Sequence, residues 1–145
     1  MENKKIVIAS DHGGFELKED VKKFLASENY KIEDVGTFDN QSCDYPVFAQ
    51  KAVEKILSGE FEKGILICGT GQGMAMCANK HKGIRAAVCS DTFSARASRE
   101  HNNSNILCLG GRITGKSLAL DIVKVWLNAE FEGGRHQKRI SMFDN

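Results

Sequence analysis

Gly64-Ile65-Leu66-Ile67-Cys68-Gly69-Thr70-Gly71-Gln72-Gly73-Met74 is the stretch on which the reading of this chain turns. A short apolar run bounded by glycine marks a strand buried on both faces. Three glycines then end the strand, and a short helix is expected over 71–80. Strand, glycine-rich turn and helix in that order form the repeating unit of α/β folds. Glycines at 69, 71 and 73 let the backbone approach a ligand and turn its N–H groups outward. The following helix adds its positive end, so the turn reads as an anion hole. It is not a dinucleotide fingerprint, which would need glycine at Met74, and no Gly-Lys-Ser/Thr follows to make a P-loop. A cysteine phosphatase would need an arginine at the far end of the turn, and none is there. The plain alternative is a tight connection that binds nothing.

The same alternation runs outward in both directions. Strands are expected over 5–10, 31–35, 62–68, 84–90 and 105–110. Helices are expected over 15–28, with Leu17, Val21, Phe24 and Leu25 on one face, and over 92–100. Another covers 114–128, with Leu118, Ile122, Val125 and Trp126. Pro46, the only proline, is placed to open a helix running to 58. The tail from 129 is polar and basic and ends in a short helix. Five strands separated by helices imply an α/β fold with a parallel sheet covered on both faces. The expectation is a three-layer, doubly wound, Rossmann-like or flavodoxin-like five-stranded sheet in the order 2-1-3-4-5. It forms a single domain over residues 1–145, with a C-terminal helical tail.

Of the 145 residues, 41% are hydrophobic and 27% charged, ordinary values for a soluble globular chain. A formal net charge of +1 gives no general attraction to nucleic acid or membranes, so neither is an expected partner and anion recognition must be local. No apolar run is long enough to span a bilayer. Residues 1–5 lead straight into the first strand with no secretory pattern, so a cytoplasmic location is expected. The five cysteines, at 43, 68, 77, 89 and 108, are odd in number and irregularly spaced, against a disulfide framework. None has metal-ligand spacing, so no metal is expected. Cys77, Cys89, Cys108, Met74 and Met76 read as core, and His81 and His136 as surface residues.

In a doubly wound sheet, ligands bind beyond the carboxyl ends of the strands. Asp11-His12-Gly13-Gly14 follows the first strand, Cys68 to Gly73 the third, and Gly110-Gly111-Arg112 the fifth. His101-Asn102-Asn103 closes the helix before the fifth strand. One set of strand ends is expected to supply every part of a site. Cys68 sits where strand meets turn; a thiol there, near a helix N-terminus, can carry a useful thiolate fraction, or can simply be a buried strand end. Asp11 is a candidate ligand for hydroxyls or an ordinary helix cap. His101 has the chemistry of a general acid–base near neutral pH, or complements a helix dipole. Asn102 and Asn103 suit a helix C-cap. Arg112, Arg135 and Arg139 are candidate phosphate ligands, because the guanidinium fork matches phosphate oxygens; a solvated basic tail is the alternative for the last two.

Taken together, residues 8–18 (IASDHGGFELK), 43–46 (CDYP), 64–74 (GILICGTGQGM), 82–89 (KGIRAAVC), 99–112 (REHNNSNILCLGGR) and 133–140 (GGRHQKRI) resemble the ribose-5-phosphate isomerase B family. The match is collinear over essentially the whole chain. The wider family also holds galactose-6-phosphate isomerase subunits and allose-6-phosphate isomerases. The resemblance implies that Cys68 is the base moving a proton between C1 and C2, with His101 the proton donor in ring opening and Asp11 beside it. It implies a substrate site of Asp11, His12, Tyr45, Gly69, Thr70, Gly71, Gln72, Gly73, Asn102, Arg112, Arg135 and Arg139. Relatives without this cysteine use a glutamate just after the last glycine of the turn; Met74 stands there, so the chain resembles the cysteine type. A homodimer or dimer of dimers with shared active sites is implied too.

The implied chemistry needs no metal or redox cofactor. Ribose 5-phosphate and ribulose 5-phosphate interconvert through a cis-enediolate. That takes acid–base help for ring opening, a base of suitable basicity at C–H, and donors for the developing oxyanion. The amides of 69–73 and the Thr70 hydroxyl fit the last role. Two other readings remain beside this one: a phosphosugar-binding regulator without turnover, and a receiver-like signalling module. A receiver would carry a phosphorylatable aspartate where this chain has Cys68.

Overall fold

Alternating side chains along the strands sort the core of the computed structural model into two layers. The structure describes residues 4–144; residues 1–3, read above as leading into the first strand, lie outside them, as does Asn145. In chain order the elements are β1 (Lys5–Ser10), one 3-10 turn at His12–Gly14, α1 (Phe15–Ser27), β2 (Lys31–Asp34), α2 (Tyr45–Leu57) and β3 (Gly64–Cys68). Then come α3 (Gln72–Ala78), β4 (Ala86–Val88), α4 (Thr92–Glu100), β5 (Ile106–Gly110), α5 (Lys116–Asn128) and α6 (Arg135–Ser141).

Ile6, Ile8, Ile65, Ile67, Leu107 and Leu109 face α1, α4 and α5, where Leu17, Val21, Ala95, Ile122 and Trp126 cover them. Their neighbours Val7, Ala9, Leu66, Cys68, Ile106 and Cys108 face α2 and α3, against Ala49, Val53 and Met74. The period of two in a strand thus splits each apolar run between both faces, which is why these runs are continuous rather than alternating.

All five strands are parallel, as expected, but the order is β2-β1-β3-β5-β4. The expected order 2-1-3-4-5 is therefore wrong in its last two places. β5 is buried at every residue and takes the interior position beside β3. β4 has three half-buried residues and stands at the edge. Its outer side is sealed by one side chain: Asn79 Nδ2 donates to the Ala86 carbonyl at 2.9 Å and Asn79 Oδ1 accepts from the Ala86 N–H at 2.7 Å. That is the hydrogen bonding of a neighbouring strand, supplied by an amide.

Three side-chain expectations also change. Met76 is exposed and Cys77 only half buried, because the short α3 turns Met74, Ala75 and Ala78 inward and the opposite face out. His136 is buried rather than on the surface.

Candidate active site

The chain moves from β1 outward to β2 on one side and to β3 on the other. The turns after β1 and β3 therefore diverge at the centre of the sheet, where doubly wound folds open a crevice. Three turns meet there: the one after β1, the one after β3 and the one after β5. They interlock through backbone. The Asp11 N–H donates to the Ile67 carbonyl at 3.2 Å, the Gly111 N–H to Cys68 at 2.8 Å and the Arg112 N–H to Gly69 at 3.0 Å. Glycine is needed for this approach: a Cβ on Gly14 would lie 2.5 Å from the Ile67 carbonyl oxygen, and one on Gly111 would lie 2.6 Å from that of Gly13.

Cys68 ends β3, buried to 5% exposure, with its sulfur accepting the Gly71 N–H at 3.1 Å. Gly71 reaches that position with φ +82°, in the left-handed region open to glycine. Thr70 Oγ1 accepts the Gln72 N–H at 3.3 Å, at the entrance to α3. Asp11 is also buried; one carboxylate oxygen accepts from the N–H groups of Gly13 at 2.9 Å and Gly14 at 3.2 Å, the helix-cap arrangement. His12 is half buried, and its Nδ1 accepts the Cys43 N–H at 3.2 Å, so the neutral ring carries its hydrogen on Nε2.

The Arg112 guanidinium lies across two of the turns. A Cβ on Gly69 would lie 3.2 Å from Nη1 and one on Gly13 would lie 3.4 Å from Nη2. Tyr45, the first residue of α2, packs its ring on the third glycine of the β3 turn, with Cζ 2.6 Å from where a Gly73 Cβ would be. So Cys68, Asp11, His12, Tyr45, the 69–73 turn and Arg112 do converge. The result is a cluster of N–H-rich turns that sets one guanidinium and one carboxylate near a buried thiol.

The other predicted residues lie elsewhere. His101 is the C-cap of α4, and Asn102 follows it, before β5 begins at Ile106. Since Gly110 at the far end of β5 pairs with Cys68, His101 and Asn102 sit toward the amino ends of the strands, about 13 Å of strand away at roughly 3.3 Å per residue. Arg135 and Arg139 are on α6, which is fastened to that same end: Asp144 accepts the Gly83 N–H at 3.0 Å and pairs with Arg85, ahead of β4. The expectation that one set of strand ends supplies every part is therefore incorrect for a single chain.

At this second end His101 stacks on His136, ring centroids 4.6 Å apart and planes 17° from parallel. Glu132 Oε1 lies 3.5 Å from His136 Nε2 and 3.9 Å from His101 Nε2. His136 is held below the usual histidine range by burial first, then by Arg135 and His101, with Glu132 opposing. Neither Glu132 nor the burial of His136 was found from sequence. The pair is spaced by four, but Gly133 and Gly134 both adopt positive φ and interrupt the helical reading that would have joined them. A cleft of about 530 Å³ is lined by Lys80, His81, Arg85, Asn102 and Phe143; neither Cys68 nor the two stacked histidines line it.

Known proteins share this chain's sequence and fold. The chain is 46% identical to the ribose-5-phosphate isomerase B of Escherichia coli, over 94% of this chain and 92% of that one. The structure of Clostridium thermocellum ribose-5-phosphate isomerase B matches with a TM-score of 0.95 and 54% identity, covering 97% of this chain and 95% of that one. The Mycoplasma genitalium ribose-5-phosphate isomerase B, solved with bound ribulose 5-phosphate, matches with a TM-score of 0.90 and 41% identity, covering 95% and 92%. With the model of the Ribose/Galactose Isomerase family matched over residues 6–143, the chain belongs to that family.

Proposed function

We propose that this protein interconverts D-ribose 5-phosphate and D-ribulose 5-phosphate, as a single domain in the cytoplasm, in the non-oxidative pentose phosphate pathway. The observation that carries the reading is the buried Cys68 sulfur at the centre of the glycine turns, accepting an N–H at 3.1 Å beside the Asp11 carboxylate and Arg112 guanidinium. All five cysteines are free thiols, which supports a reducing compartment.

The furanose ring opens first. His101 donates a proton to the ring oxygen, the C1–O4 bond breaks, and Asp11 takes the C1 hydroxyl proton as the aldehyde forms. The Cys68 thiolate then removes the proton from C2; the electron pair becomes the C1–C2 double bond of the enediolate, and charge develops on O1. N–H groups of the 69–73 turn and the Thr70 hydroxyl stabilise that charge in a water-poor recess. Return of the proton to C1, with loss of the O2 proton, yields the ketone. The net change moves one hydrogen from C2 to C1 and one proton from O2 to O1. His12, Tyr45, Gln72 and Asn102 hold the sugar, while Arg112, Arg135 and Arg139 grip the phosphate and fix its orientation.

Cys68 and His101 lie at opposite ends of one sheet, so the reaction requires a second copy whose α4 and α6 complete the crevice. The protein acts as a homodimer, or a dimer of dimers, with sites shared between copies. The test is turnover of ribose 5-phosphate, allose 6-phosphate and galactose 6-phosphate, with chelator present, by wild type and Cys68→Ala. We expect ribose 5-phosphate to be turned over and the variant to lose at least about a thousandfold while keeping its fold. Turnover of a hexose phosphate alone would change the substrate, and undiminished turnover by the variant would remove Cys68 as the base.

A further inference from the structure

The proposed acid, His101, is half exposed at the end of a helix, a position that by itself fixes neither its ring nor its proton. Two neighbours supply what the helix end lacks. One face of the imidazole is covered by His136, which is buried and has no hydrogen-bond partner on Nε2. The Nε2 edges of both rings approach the same Glu132 carboxylate oxygen, at 3.9 and 3.5 Å. Glu132 is not a loose surface acid, because its N–H donates to the Glu100 carbonyl at 3.0 Å, in the last turn of the helix that carries His101. The other charges near the pair are Arg135 and Arg139 on α6, and Glu100, which lies 3.9 Å from Arg96.

Two stacked imidazoles cannot both be cationic at low cost, so a shared carboxylate favours one arrangement of the two rings. Burial, then the adjacent Arg135 and His101, lower the His136 pKa. We infer that Glu132 is a positioning residue for ring opening: its carboxylate, shared with the buried His136 ring, orients the His101 imidazole. This rests on the role given to His101 above.

The test separates ring opening from proton abstraction. Ribulose 5-phosphate is acyclic, because its C5 oxygen carries the phosphate, so exchange of its C1 hydrogen with deuterium oxide needs the base and not the ring-opening acid. The full-length wild type is compared with Glu132→Gln, Glu132→Asp and His101→Ala. Glu132→Gln is expected to lower kcat for ribose 5-phosphate roughly fivefold, the size a half-exposed ion pair supports. KM and the C1 exchange rate should stay at the wild-type value, and Glu132→Asp should recover most of the loss. A Glu132→Gln variant with wild-type kcat overturns the inference, as does one in which exchange falls in step with turnover. A His101→Ala variant that still turns over ribose 5-phosphate at the wild-type rate overturns the underlying role of His101 and this inference with it.

Discussion

Five residues of one type occur here, and their surroundings divide them. Burial pushes the Cys89 thiol up to about 11 and Cys108 well above the ordinary cysteine range, so both stay protonated packing groups. Cys68 differs in having a backbone N–H aimed at its sulfur, from a Gly71 that adopts φ +82°. A Cβ on Gly71 would also press on the Leu109 carbonyl group, 3.2 Å from its carbon. Gly71→Ala should therefore cost about 1–2 kcal/mol of stability, the penalty of the left-handed region. It should also lower turnover roughly tenfold to a hundredfold, the cost of misplacing an oxyanion donor. Gly59→Ala is the control: φ is +85° there too, but no atom lies within 4 Å of the new Cβ. Thermal melting should fall in both, further in Gly71→Ala, and kcat only in Gly71→Ala. At this scale the sequence was readable where a residue's place in the strand–turn–helix unit fixed its surroundings, as for Cys68 and Asp11. It was unreadable for Met76, whose exposure depends on which face of a two-turn helix meets the sheet, and for His136, which is buried against His101 across a glycine-broken joint.

The joints between elements hold energy that the strand and helix patterns do not display. Lys18 on α1 is fully buried, and its ammonium bonds Asp34 at 2.7 and 2.8 Å at the end of β2, with Lys22 on the same carboxylate at 2.9 Å. Burial alone would raise Asp34, but hydrogen bonds from Lys18, Lys22 and the Gly36 N–H outweigh it and hold the carboxyl below its usual range. The folded value lies below the unfolded one, so the stabilisation is full above about pH 4 and is lost as pH falls through the folded value. Asp34→Asn leaves Lys18 buried without its counter-ion and should cost about 3–5 kcal/mol at pH 7. Urea unfolding at pH 7 and pH 3 checks both points: the gap between wild type and variant should narrow at the lower pH. The elements themselves were legible almost to their ends; α4 begins and closes where its capping residues, Asp91 and His101, put it. The joint was not legible, because the positions of Lys18 and Asp34 in sequence say nothing about which charges a turn will bury.

For the whole molecule, the five parallel strands followed from alternation of apolar runs and amphipathic helices, but the order of the last two did not. The expected lengths, 84–90 against 105–110, gave no signal; in the structure β4 shortens to three residues beside Arg85, which suits an edge, and the fully buried ILCLG segment suits an interior place. Whichever place β5 takes in a parallel sheet, the segment before it, with His101, lies at the amino end, while Cys68 ends β3 at the carboxyl end. The expected parallel sheet, with His101 ahead of its fifth strand, already implied this separation, and the family resemblance implied sites shared between copies; the expectation of one set of strand ends overlooked both. The consequence can be measured by complementation. Cys68→Ala and His101→Ala, co-expressed with different tags, should each be nearly inactive alone. If the site is shared, a mixed dimer keeps one intact site, made from the Cys68 of one copy and the His101 of the other, while its second site carries both lesions. Random pairing makes half the dimers mixed, so the mixture should recover about a quarter of wild-type turnover, and dimers purified through both tags about half. Because each lesion is carried on a separate chain, a site built within one chain would recover nothing in either preparation.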